Sequence, residues 1–135
     1  AKMLALLYGV SKPVVTAVQG HAIGGGIGLI AASDIAIASN RAVFAFSEVR
    51  LGLVPATISP YVIRSIGERA ARRWFLTGER FGSKEALQMG LIHERVPERE
   101  LSARVERIID QLLMSGPSAI SASKQLINYI KNNFQ

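Results

Sequence analysis

The hydrophobic positions of this chain change character along its length, and they predict a strand-containing first part and a mostly helical second part. Apolar runs of strand length, rich in β-branched residues or alanine, occur at 13–18, 35–38 and 42–46. Between the first two runs, residues 26–32 continue without a breaker and predict a helix. Strand, helix, strand and strand in this order indicate an α/β layer structure.

Longer segments with helical spacing and clear end signals follow. Ser59-Pro60 is a helix start and Thr77-Gly78 a helix stop. The other predicted elements are a helix up to about Gly9, a short helix from Ser83 to Gly90, a small strand at 91–96, an amphipathic helix from Leu101 to Gly116 and a last helix with Ile120, Ile127, Ile130 and Phe134 on one face. We therefore expect two regions, an α/β core at 1–82 and a helical region at 83–135.

The first residues run directly into an apolar helical pattern, with neither a capping residue nor an initiator Met. This beginning leads us to expect that the sequence is a piece of a longer protein.

The composition is that of a folded domain. Hydrophobic residues make up 49% of the 135 residues, enough for a real core. There is no cysteine, so disulfides and thiolate metal sites are excluded and a reducing compartment is compatible. The longest apolar run, at 22–32, is too short to span a bilayer. We expect a soluble, cytoplasmic protein with no membrane partner.

The formal net charge of +6 raises the question of an anionic partner. Nucleic acid and a phosphate-bearing cofactor are both compatible with the arginines grouped between Arg64 and Arg73. However, only 7% of the residues are aromatic, and no basic run is interleaved with them. Glu68 stands four residues from both Arg64 and Arg72, as on a solvated helix face. We therefore expect no nucleic-acid partner.

The stretch from Gly20 to Gly28 is the first candidate for chemistry, because it joins a strand to an apolar helix. Three consecutive glycines, Gly24–Gly26, would expose backbone amides that have no helical acceptor, and such a turn binds negative charge. A dinucleotide fingerprint fails because Leu29 stands where a small residue is needed, and no G-K-[ST] follows. Close packing of a helix against a strand explains the glycines equally well.

Glu48 is the candidate acid or base. It follows a predicted strand and enters a loop of mostly apolar residues, where a carboxyl group would be poorly solvated and suited to proton transfer. Taken alone, the simpler account is an exposed carboxylate that pairs with Arg50. His21 and His93 have no partner at metal-ligand or triad spacing, so no metal site is expected.

Taken together, these segments resemble the enoyl-CoA hydratase/isomerase (crotonase) superfamily. The resemblance is carried by Lys12–Gly26, Ser33–Ala38, Phe44–Pro55, Leu76–Glu79 and Ala86–Val96. It implies a crotonase-like α/β fold, a ββα spiral. This chain would contain only the C-terminal half of that fold, followed by a helical oligomerisation region.

The resemblance also implies roles for individual residues. The backbone N–H of Gly25 would bind the thioester oxygen as an enolate forms, and Glu48 would be the catalytic acid/base. The expected substrate-binding positions are Ala22, Gly24, Gly26, Gly28, Pro55, Ala56 and Lys124, although a solvated helix face explains Lys124 as well. The expected substrate is an acyl-CoA thioester, with no cofactor beyond that coenzyme A and a homotrimer or hexamer as the assembly.

Two departures from the common hydratase pattern narrow the expectation. Gly28 stands where such hydratases carry their first catalytic glutamate, and Pro55-Ala56-Thr57 replaces their P-G-x-G-G. Both departures resemble the branch that hydrates methylglutaconyl-CoA and isohexenylglutaconyl-CoA. We therefore expect water addition to a branched glutaconyl-type 2-enoyl-CoA. A double-bond isomerase, which needs one acid/base, and a non-catalytic fragment that acts only in oligomer assembly are the alternatives.

Overall fold

A computed structural model describes residues 2–52 and 54–134 of the chain. In chain order, its elements are α1 (Lys2–Gly9), β1 (Val15–Val18), β2 (His21–Ile23), α2 (Gly25–Ala32), β3 (Ile35–Ser39), β4 (Val43–Ala45), α3 (Ser59–Thr77), β5 (Arg80–Gly82), α4 (Ser83–Met89), β6 (Glu94–Val96), α5 (Leu101–Leu113) and α6 (Pro117–Asn133). Two short 3₁₀-helices, Ser47–Leu51 and Glu98–Glu100, complete the set within these residues.

The strands form two three-stranded sheets, and the chain passes back and forth between them. The first sheet has the order β1-β3-β6 and is parallel throughout. In the second sheet, of order β2-β4-β5, β2 and β4 are parallel and β5 is antiparallel to β4. Gly20, with φ 72°, lies at the bend where the chain leaves β1 and enters β2. Two strands in different sheets followed by a helix make the repeat of a ββα spiral.

The core lies between the sheets and the helices α2 and α3. Ile27 of α2, Phe44 of β4 and Val62 of α3 have no exposed surface. The Phe44 ring stacks on Phe81 of β5, with the ring centroids 5.4 Å apart. Because α2 is apolar all round, it is covered by neighbours, and it packs against α1, α3 and β2.

Most elements occur where the sequence predicts them, with three differences. β2 and β5 are additional strands of three residues each. The predicted loop at 47–55 begins with a 3₁₀-helix. Within α3, Gly67 adopts φ 84°, so this helix is interrupted by a kink that the continuous periodicity does not predict.

The second half of the chain is not independent of the first. β6 hydrogen-bonds to β3, with Ile37 opposite Glu94, so a strand of the region 83–135 completes the first sheet. The helix α6, in contrast, has no buried residue among those described. The pairing of β6 with β3 and the exposure of α6 point in opposite directions, so a division into domains at Gly82 stays a prediction.

Candidate active site

The glycine turn is fixed by its own backbone. Gly24 has φ 54°, a conformation that favours glycine, and its N–H donates to the carbonyl of Ala45 in β4 at 3.0 Å. Gly25 then begins α2. Among residues 2–52 and 54–134, the N–H of Gly25 has no backbone or side-chain acceptor, as expected for the first residue of a helix. The N-terminus of α2 thus presents the free amide of Gly25, and the preceding residue, Gly24, joins this turn to β4.

Glu48 is held beside this turn. It lies in the 3₁₀-helix Ser47–Leu51, which starts after the fully buried Phe46. Phe46 packs between Phe75 and Phe81, with ring centroids 4.6 and 5.9 Å away. Because an aromatic anchor directly precedes this 3₁₀-helix, the direction in which it leaves β4 is constrained.

The carboxylate of Glu48 contacts the glycine turn itself. A β-carbon added at Gly24 would lie 2.8 Å from Oε2 of Glu48, so the absence of a side chain there makes room for the carboxylate. The other oxygen, Oε1, is shielded from solvent and has no hydrogen-bond partner within the described part of the chain. A buried oxygen without a partner is costly, and such groups concentrate at sites where a ligand supplies the partner.

Gly25 and Glu48 line the same cleft, which has a volume of about 360 Å³. The rest of its lining is mainly apolar and consists of Met3, Leu4, Leu29, Val54, Pro55, Ala56, Thr57 and Ile58. A mostly apolar cleft with one free N–H and one carboxylate is suited to an acyl group that develops negative charge on oxygen while a proton is transferred.

The comparison with protein families agrees with this geometry. The family model described as enoyl-CoA hydratase/isomerase matches residues 1–132. The chain belongs to the enoyl-CoA hydratase/isomerase family. The match covers nearly all of this chain. The expectation that the chain is only the C-terminal half of a family member is therefore not supported.

Individual relatives confirm the family and its fold. An enoyl-CoA hydratase from Alternaria alternata is 36% identical over 122 residues, which are 90% of this chain and 41% of the relative. The carnitinyl-CoA dehydratase of Escherichia coli is 35% identical over 121 residues, covering 89% of this chain and 46% of the relative. The crystal structure of an enoyl-CoA hydratase from Shewanella pealeana superposes with a TM-score of 0.93 at 45% identity, over 99% of this chain and 50% of that structure. The chain thus has a crotonase-like α/β fold and spans about half the length of the relatives it matches.

Gly28 lies outside the cleft lining. A β-carbon added there would overlap Cγ2 of Ile58 and would lie 3.0 Å from Cβ of Ile58 and 3.4 Å from Cδ1 of Leu4. The residue is buried, and as the side chains stand no room exists for a glutamate. In this structure, Gly28 is a packing position, and Ile58 fills the space beside it. That Gly28 contacts substrate stays a prediction.

Apart from Lys124, two of the other predicted substrate-binding positions line the cleft and three do not. Pro55 and Ala56 line the cleft. Ala22 is a buried residue of β2, paired with Phe44 in the sheet, and its side chain belongs to the core. Gly24 shapes the site by leaving space for Glu48, and Gly26 follows Gly25 in the first turn of α2 without lining the cleft. The alternative that Glu48 pairs with Arg50 is not observed within the described part of the chain.

Lys124 makes contacts within the protein that the sequence did not predict. Its Nζ donates to Oδ2 of Asp34 at 2.8 Å and to the carbonyls of Lys12 and Leu7 at 3.0 and 3.4 Å. Its side chain is only 11% exposed, so it is not on a solvated helix face. Because its donors face these protein oxygens, Lys124 joins α6 to the segment before β1. Its role in substrate binding stays a prediction.

Two further titratable side chains, those of His93 and Glu94, form hydrogen bonds within the fold. His93 accepts a hydrogen bond at Nδ1 from the N–H of Ala36, and the backbone N–H of His93 donates to the carbonyl of Ala36 at 2.8 Å. Arg104 of α5 donates to both carboxylate oxygens of Glu94, at 2.6 and 2.8 Å, and these hydrogen bonds hold the pKa of Glu94 below its ordinary value.

No group of three or more potential metal ligands occurs among residues 2–52 and 54–134. Nor does any helix in those residues have the length and apolar character needed to cross a membrane.

The sequence did not indicate four apolar cleft residues, namely Met3, Leu4, Leu29 and Ile58. They come from three different helices or helix starts, and their spacing along the chain carries no signal of a shared site. The signal that could have identified Ile58 is Gly28, since a buried helical glycine indicates that a neighbouring side chain approaches closely.

Proposed function

We propose that this chain provides the acid/base and one oxyanion donor of an acyl-CoA lyase, which adds water to a branched, glutaconyl-type 2-enoyl-CoA. The observation that carries the proposal is the common cleft of the Gly25 amide and the Glu48 carboxylate. The family match supports the reaction class, and the whole protein's activity remains a proposal because the chain spans about half of its relatives' length.

In the proposed reaction, the thioester carbonyl oxygen accepts the N–H of Gly25. Water attacks C3 of the substrate while Glu48 takes one of its protons, so that a C3–O bond forms and the electron pair of the double bond moves towards the carbonyl. The resulting enolate oxygen is stabilised by the amide and by the N-terminus of α2. Glu48 then returns its proton to C2, and the carboxylate is regenerated.

A single carboxylate must serve both proton transfers. We expect the distal carboxylate of a glutaconyl substrate, or another residue, to orient the water. The hydroxyl of Thr57 is the one further polar side chain in the described lining of the cleft. Two relatives, the enoyl-CoA hydratase of Alternaria alternata and the carnitinyl-CoA dehydratase of Escherichia coli, support addition and elimination of water as the reaction type.

A second candidate is a double-bond isomerase. It is favoured by one observation: Glu48 is the one carboxylate in the described lining of the cleft. Ile58 fills the space next to Gly28, where a second carboxylate would be expected in common hydratases. A 1,3 proton shift requires removal of a proton from one carbon and its return to another, which one carboxylate can perform.

The two candidates are separated by substrate assays on the intact protein. It should be incubated with 3-methylglutaconyl-CoA and, separately, with a 3-enoyl-CoA, while loss or shift of the double bond is followed in the ultraviolet and incorporation of water by mass spectrometry. Water incorporation into 3-methylglutaconyl-CoA is expected. Turnover of the 3-enoyl-CoA alone would contradict the hydratase and leave the isomerase.

The proposal extends to assembly and location. We expect a homotrimer or hexamer in the cytoplasm, in which the apolar residues of α6, such as Ile127 and Ile130, contribute to contacts between copies. Size measurement by light scattering, alongside the assays above, tests this arrangement. An inactive oligomer would favour the alternative of a non-catalytic assembly fragment, and an inactive monomer would contradict both.

A further inference from the structure

We infer that Ile58, seated against Gly28, determines the size of acyl group that the cleft admits. The inference rests on the proposed function and adds a specificity-determining residue to it. Ile58 is 5% exposed, and its small remaining surface belongs to the cleft that contains Gly25 and Glu48.

The first support is the tight contact with Gly28. Because a β-carbon on residue 28 would overlap Cγ2 of Ile58, the isoleucine side chain stands in the space that any larger residue at position 28 would need. Leu4 closes the same space from another side, with its Cδ1 3.4 Å from the added β-carbon. The two positions are therefore sterically coupled.

The second support is that Ile58 cannot easily move away. Its carbonyl accepts the N–H groups of Tyr61 and Val62, both at 3.1 Å, so its backbone is fixed by the first turn of α3. Its branched side chain is also restricted in χ1. With a fixed backbone and a stiff side chain, Ile58 forms a wall of the cleft that shifts only when a neighbouring group displaces its side chain.

Opposite changes at the two positions should thus have opposite effects. Shortening Ile58 empties the space next to Gly28 that its side chain now fills. This space becomes part of the cleft, which then accepts a longer acyl chain. Enlarging Gly28 to alanine pushes Ile58 towards the cleft and excludes all but the shortest chains. In the double variant, the shortened residue 58 leaves room for the new methyl group, so the effect of Gly28→Ala should be largely removed.

Binding of saturated acyl-CoA thioesters tests the inference without requiring turnover. The dissociation constants of butanoyl-CoA and octanoyl-CoA are measured by calorimetry for the intact protein and its Ile58→Ala, Gly28→Ala and double variants. For Ile58→Ala, the preference for octanoyl-CoA over butanoyl-CoA should rise by about tenfold or more, as expected when methylene groups gain an apolar pocket. For Gly28→Ala, it should fall by a similar factor.

Val62→Ala is the matched control, because Val62 is fully buried four residues along but does not line the cleft. It should lower stability without changing the chain-length preference. If Ile58→Ala does not fold, Ile58→Val decides the question, with an expected change in the same direction of about threefold.

The possible results separate the inference from the proposed function. An unchanged octanoyl-to-butanoyl ratio in the folded Ile58 variants would overturn the inference and leave the function intact. A change of equal size in Val62→Ala would overturn it as well. Failure of the unmodified protein to bind any acyl-CoA would contradict the proposed function, and the inference with it.

Discussion

The glycine turn and the last helix hold their key side chains in different ways. At the turn, the backbone fixes the geometry: the Gly24 amide is bonded to β4, its φ is positive, and the Glu48 carboxylate fits against it. In α6, no described residue is buried, and the helix is attached through ammonium groups, Lys124 to Asp34 and Lys131 to the hydroxyl of Tyr8. The first arrangement fixes positions closely, whereas the second depends on long side chains.

This difference separates the parts that chemistry requires from the parts that stability requires. A proton transfer depends on the position of the reacting groups to a fraction of an ångström, which backbone bonds provide. Attachment of a surface helix tolerates more movement. Substitutions at the turn should therefore lower activity, and substitutions in α6 should lower stability.

The largest expected effect is that of Glu48→Gln. The amide cannot accept and return a proton, so kcat should fall by about 10² to 10⁴-fold while the fold is retained. Steady-state assays with the proposed substrate, 3-methylglutaconyl-CoA, provide the measurement. Glu106→Gln, on the exposed face of α5, is the control and should leave the rate unchanged. A near-normal rate for Glu48→Gln would remove this residue from the mechanism.

Gly24→Ala should come next. The new methyl group would stand 2.8 Å from Oε2 of Glu48, and alanine is strained at φ 54°, so the carboxylate must shift. We expect kcat to fall by roughly 10²-fold, as for a displaced catalytic group. Gly9→Ala is the control, since open space surrounds Gly9. Equal activity of the two variants would show that the position of Glu48 does not depend on the turn.

Lys124→Met tests the other side of the comparison. Removal of the ammonium leaves Asp34 with the N–H of Val14 as its remaining partner, and the unfolding free energy should fall by about 1–3 kcal/mol. Urea denaturation measures this loss, with Lys84→Met on the exposed face of α4 as the control. A rise in KM for the acyl-CoA at unchanged stability would instead restore Lys124 as a phosphate-binding residue.

The smallest effect concerns pH. Because the pKa of Glu94 is lowered by Arg104, the ion pair stabilises the folded state above the ordinary glutamate pKa of about 4.3, and this contribution is lost as the pH falls through the lower folded pKa. Glu94→Gln should make the acid side of the stability curve slightly shallower. Thermal unfolding between pH 3 and 7 measures this difference, and an identical curve would show that the partly buried pair contributes nothing.

Much of the site followed from the sequence because its main features are local. A strand followed by consecutive glycines and a helix predicts free amides whatever the rest of the fold, and Gly25 indeed begins α2. The family resemblance then paired this turn with Glu48, and the two line one cleft. Pro55 and Ala56, also expected from the resemblance, line the same cleft.

The features that the sequence did not predict depend on contacts between distant segments. β2 and β5 have three residues each, too few for an alternating pattern to be recognised. Lys124 looked like a surface residue because its partner, Asp34, is 90 residues away in the chain. From the sequence, Gly28 was notable only because it stands where common hydratases carry a glutamate. Its packing against Ile58 becomes visible only when α2 and the start of α3 are placed together.

The hydrogen bond from Gly24 to the carbonyl of Ala45 has a consequence for how this site can evolve. It fixes the spacing between β4 and Glu48, because the carboxylate stands three residues after the bonded carbonyl of Ala45. In a 3₁₀-helix, one inserted residue would rotate Glu48 by about 120°, away from the Gly24 turn. New chemistry at this site should therefore arise through substitutions in the cleft, whereas insertions and deletions between Ala45 and Glu48 should be eliminated by selection.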